Sequence, residues 1–76
     1  MTYIDINKIE EIRIQLESIQ ESLLDVSSHI LQQAIEDGQT KAPPEDKKIV
    51  QALRAVTKSI NSLQYLENQS SSLERS

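Results

Sequence analysis

The reactive side chains of this 76-residue chain are one histidine, twelve acidic residues and eight lysines and arginines, with no cysteine. Nucleophilic catalysis needs a Cys, or a Ser or Thr beside an activating base. The one candidate base, His29, follows Asp25 by four residues, which is the spacing of an ordinary exposed pair on the polar side of a helix. A metal would have only carboxylates to bind, and Glu10, Glu11, Glu17 and Glu21 read as a solvated acidic face. A single glycine cannot build a phosphate-cradling loop. Lys47, Lys48, Arg54 and Lys58 have no aromatic platform among them, and the net charge of −4 disfavours a polyanion. These residues point away from an enzyme, a cofactor, a metal and nucleic acid, and toward a binding or assembly part.

The apolar residues give the same direction. Uninterrupted apolar runs reach only two residues, as at Leu23 and Leu24, far short of the ~18 that span a bilayer. The acidic helix is also the wrong charge for lying on an anionic membrane. The opening MTYIDINKIEE has neither a basic start nor an apolar stretch of signal-peptide length, so the expected location is cytoplasmic.

Periodicity sets the elements. Ile9, Ile12, Leu16, Ile19, Leu23, Val26 and Ile30 alternate spacings of three and four, a heptad seam over three repeats. Thr2 and Asp5 carry helix-start chemistry, and no Gly or Pro intervenes before Gly38. A first helix is expected over about 5–37, with a turn over 38–43. Pro44, Glu45 and Asp46 suit the first turn of a second helix over about 44–67, whose seam is Ile49, Leu53, Val56, Ile60 and Leu63. Residues 68–76 lack a period and are expected to be a disordered tail. The fold class is therefore all-α: residues 1–67 form one antiparallel helical hairpin.

Charge divides between the arms. Residues 5–37 hold eight acids and two bases, a net of −6, while residues 47–58 hold four bases and no acid. That division favours the antiparallel pairing, by a few tenths of a kcal/mol for each exposed pair.

A 76-residue hairpin with 37% apolar residues has little core to bury, and no disulfide or zinc site supplements it. A longer first helix would overhang its partner at residues 5–12, leaving Ile6, Ile9 and Ile12 uncovered. Ile6, Leu24, Leu31 and Ile35 form a second stripe roughly 90 to 120° from the seam. With Tyr65 and Leu66, these are the expected partner-binding residues. A helical protein partner would cover them; so would a second copy, giving a homodimeric four-helix bundle that serves as a structural or regulatory scaffold.

The layout resembles a known family. MTYIDINKIEE, then IRIQLESIQESLLDVSSHILQQAIEDG, a short turn, and KKIVQALRAVTKSINSLQYLE are similar in length and apolar spacing to the small co-chaperones of type III secretion needle subunits, over about residues 2–67. Gln51, Ile60, Leu63 and Tyr65 fall near equivalent residue types in that family's second helix. The resemblance implies a cytosolic bacterial helical hairpin. Its partners would be a tetratricopeptide-like chaperone and the needle subunit, held soluble and unpolymerised as a heterotrimer.

Overall fold

The computed structural model describes the backbone of residues 4–75 and the side chains through Gln69. Two helices make up the fold: α1 (Ile6–Glu36) and α2 (Pro44–Arg75), folded back on each other as an antiparallel hairpin. The resulting rod measures 58 × 19 × 15 Å.

Local chemistry sets three of the helix ends. Asp5, with extended backbone (φ −84°, ψ 100°), is the N-cap of α1 and accepts a hydrogen bond from the Lys8 N–H at 3.2 Å. It thereby satisfies one of the donors that a helix start leaves unpaired. Thr2, the other start signal, lies outside the described residues. At the C-terminus Gly38 takes φ +78°. Its N–H donates to the Ile35 carbonyl at 3.0 Å, and the Gln39 N–H donates to the Ala34 carbonyl at 2.9 Å. These two bonds make a Schellman motif, which needs a left-handed residue just past the helix end. Pro44 then opens α2, with Glu45 and Asp46 in the first turn against the positive end of the helix dipole.

The fourth end corrects the sequence reading. α2 does not stop near residue 67; it continues to Arg75, so residues 68–75 are helix and not a disordered tail. The segment after Glu67 has no Gly or Pro to break the helix. Once a helix is nucleated, each added residue gains a backbone bond at little further cost. Gln69 adds a hydrogen bond from its Nε2 to the Tyr65 hydroxyl, 2.8 Å away and one turn earlier. α1 and α2 are consequently matched, at 31 and 32 residues. The expected overhang is absent, since α2 runs on past Glu67 beside the first turns of α1, and Ile6 and Ile9 are half-buried.

Two helices enclose little. Ala34 and Ile60, each 6% exposed, are the buried apolar residues among those described, and no large side chain is fully buried. Leu23→Ala removes methyl groups from a half-buried seam position and is expected to cost about 1–3 kcal/mol in urea unfolding followed by circular dichroism, the lower part of the range for core leucines. Gly38→Ala meets no neighbouring atom but forces an L-residue into the left-handed region, and is expected to cost about 1–2 kcal/mol by the same assay.

Candidate protein-binding surface

The side of α1 that faces α2 is set by two rows of residues, each spaced by seven. One row is apolar, Ile9, Leu16, Leu23 and Ile30, and all four are half-buried. The other is mixed, Ile6, Arg13, Gln20, Ser27 and Ala34, and its members are likewise half-buried or buried. Interleaved, these rows give spacings of three and four from Ile6 to Ala34, the signature of a coiled-coil contact. On α2 the contact runs through Asp46, Ile49, Leu53, Val56, Ile60, Leu63 and Glu67. Its apolar members are the five seam residues read from the sequence.

The polar members of α1 meet polar side chains of α2, Asp46 and Glu67 within the contact and Thr57 at its exposed edge. Arg13 donates from Nε to Glu67 at 2.6 Å and from its terminal Nη2 to the other carboxylate oxygen at 3.3 Å, and it also pairs with Glu17 at 3.0 Å. The hydrogen bond to Glu67 raises the Arg13 pKa above its ordinary value against an opposing desolvation, with the charges of Glu67 and Glu17 adding to the rise. Gln20 donates to the Thr57 hydroxyl at 2.8 Å. Ser27 donates to the Asp46 carboxylate at 2.6 Å, and Asp46 is only 8% exposed. Among the described residues no buried side-chain polar atom lacks a partner.

This ladder turns α1 away from the orientation its most apolar stripe suggests. Ile12, Ile19 and Val26, expected in the seam, stand about 80° from the middle of the contact by heptad phase and are exposed, Ile19 by 48% and Val26 by 43%. The seam of α1 is therefore corrected: the row containing Ile9 and Leu23 faces α2, while the row containing Ile19 does not. Heptad phase puts Ala52, Ser59 and Leu66 of α2 on the same side of the hairpin as Ile12, Ile19 and Val26. Together they form one open flank with no charged residue between Ile12 and Val26 in these rows.

The expected partner-binding residues are distributed over several surfaces. Leu24 and Leu31 are exposed together on the opposite flank, in the half of α1 nearer the turn, and Ile35 is 74% exposed further round. Ile12 and the half-buried Leu66 belong to the first flank. Tyr65 is exposed on the outer side of α2, where it lines a shallow groove with Lys58, Asn61, Ser62 and Leu66. Ile6 and Ile9 belong to the helix–helix contact. The sequence reading missed Ile19 and Val26 as surface residues. The usable signal was the seven-residue recurrence of Arg13, Gln20 and Ser27, matched by the polar Asp46, Thr57 and Glu67 on α2.

The described residues hold no group of three or more His, Asp or Glu placed to share a metal ion, and no described helix is long and apolar enough to cross a membrane. No protein-family model, curated protein or solved structure matches the chain.

Ser27→Ala should show how strongly the ladder holds the hairpin. It strips a buried carboxylate of its side-chain donor, and an expected loss of about 1–3 kcal/mol in urea unfolding follows from leaving that acceptor unpaired. An unchanged midpoint would show that the Ser27–Asp46 rung does not hold the hairpin.

Proposed function

We propose that this chain is a non-catalytic helical binding module that completes its packing on other helices. The observation that supports it is the imbalance between two buried apolar residues and the large aliphatic side chains left exposed along both flanks of α1. Contiguous exposed apolar surface on a small protein marks an interaction site, because water around those groups is released when a partner covers them. A helix fits best, since the flanks are straight rows of side chains spaced by whole turns.

The narrower form of this reading is a co-chaperone, following the resemblance of the sequence layout to the helical-hairpin partners of needle-subunit chaperones. On that reading the work is burial: the hairpin covers an apolar surface of a tetratricopeptide-like chaperone, which in turn keeps a polymerising subunit soluble. Leu24, Leu31 and Ile35 would supply the contact.

Titration calorimetry of the purified chain against such a needle-subunit chaperone tests both levels. The expected outcome is saturable binding with a negative heat-capacity change. Replacing Leu24 and Leu31 together with Glu should leave the hairpin's helicity nearly unchanged and weaken binding by roughly a thousandfold, since two unpaired carboxylates would enter the interface. Absence of heat with the chaperone would end the co-chaperone reading. A cooperatively folded monomer that associates with no helical protein would end the binding-module reading itself.

A further inference from the structure

The flank carrying Ile12, Ile19 and Val26 is distinct from the Leu24 and Leu31 flank, and area and packing argue for its occupant. We infer that a second copy of this chain covers it, related by a two-fold axis parallel to the helices, so that both turns lie at the same end of a four-helix bundle. This rests on the reading of the chain as a binding module and names one of its partners.

Area is the first argument. A compact monomer of 8.6 kDa exposes about 4,700 Å² by the usual scaling of surface with mass. This chain exposes 6251 Å². An interface of standard size removes about 800 Å² from each partner, roughly half of that excess.

Charge favours one orientation of the two copies. Rows without charged residues give an oppositely charged helix nothing to pair with at the centre of the flank. Over their lengths the arms differ in charge: residues 5–37 hold eight acids and two bases, a net of −6, while α2 (44–75) holds five bases and four acids, a net of +1. A two-fold axis along the rod lays each acidic α1 over the partner's nearly neutral α2, so no two acidic arms are neighbours. A two-fold axis across the rod would instead stack acidic arm on acidic arm, which is repulsive.

Packing agrees with the first arrangement. The Arg13–Glu67 and Gln20–Thr57 bonds bring residues near 19 level with residues near 59. Rotation about the long axis preserves level. Ile19 of one copy therefore comes down near the small Ser59 of the other, and Val26 near Ala52, giving these two large side chains small ones to pack against, while Ile12 comes near Leu66.

Sedimentation velocity on the full chain over a range of micromolar concentrations is expected to show a species of twice 8.6 kDa. Ile19→Glu should raise the dimer dissociation constant by roughly a hundredfold or more. Because the chain has no cysteine, Gln39→Cys places a single spin label in the turn without touching the flank. Same-end turns put the two labels within about two helix spacings, ~20 Å; opposite-end turns would separate them by nearly the 58 Å length of the rod. A dimer unaffected by Ile19→Glu, or labels near the longer distance, overturns the inference. So does a monomer at every concentration. If that monomer gains helix only with a different helical protein, the binding-module reading survives; if it folds cooperatively alone and binds none, both fail.

Discussion

The hairpin is organised around one requirement: Arg13, Gln20 and Ser27, spaced by seven along α1, must each find a polar partner when α1 packs on α2. Glu67, Thr57 and Asp46 meet it. A half-buried polar group without a partner loses its bonds to water and gains nothing in return, so a rotation or slip of α1 that breaks the part-buried Arg13–Glu67 and Ser27–Asp46 rungs is penalised, whereas water can replace the exposed Gln20–Thr57 bond. Apolar contacts alone would not be so selective, because a seam of Leu, Ile and Val tolerates modest rotation.

That selectivity has a consequence for the surface. Bringing the Arg13 row into the contact turns the Ile19 row out of it, and each aliphatic side chain left in water forgoes part of the ~1.5–3 kcal/mol that full burial gives. A two-helix structure cannot serve both rows. The arrangement is consistent with a helix at one corner of a larger bundle, where the stripe of Ile9, Ile12, Leu16, Ile19, Leu23 and Val26 is split between two neighbours.

The termini and turn show how local chemistry and tertiary structure share the work. Asp5, Gly38 and Pro44 mark helix ends by side-chain capping, left-handed backbone and a fixed φ, none of which needs a distant contact. The far end of α2 has no such marker. The polar residues after Glu67 are compatible with helix or coil, and helix prevails in continuation of the preceding turns.

Composition and spacing by themselves determined the all-α class, the two helices, their antiparallel sense and the Gly38 turn, because period, capping and a short proline-containing linker are properties of adjacent residues. The α2 seam through Ile49, Leu53, Val56, Ile60 and Leu63 was legible for the same reason: its apolar residues form a single stripe. α1 carries apolar residues over too wide an arc for periodicity to choose among rows. Which of them meets α2 was decided only in the folded pair, by hydrogen bonds joining residues between 19 and 54 positions apart in the chain. The sequence reading therefore placed Ile19 and Val26 inside and Ile6 outside. Rotational phase between two helices is a property of their contact, and each polar group in that contact is satisfied or stranded only once the other helix is present.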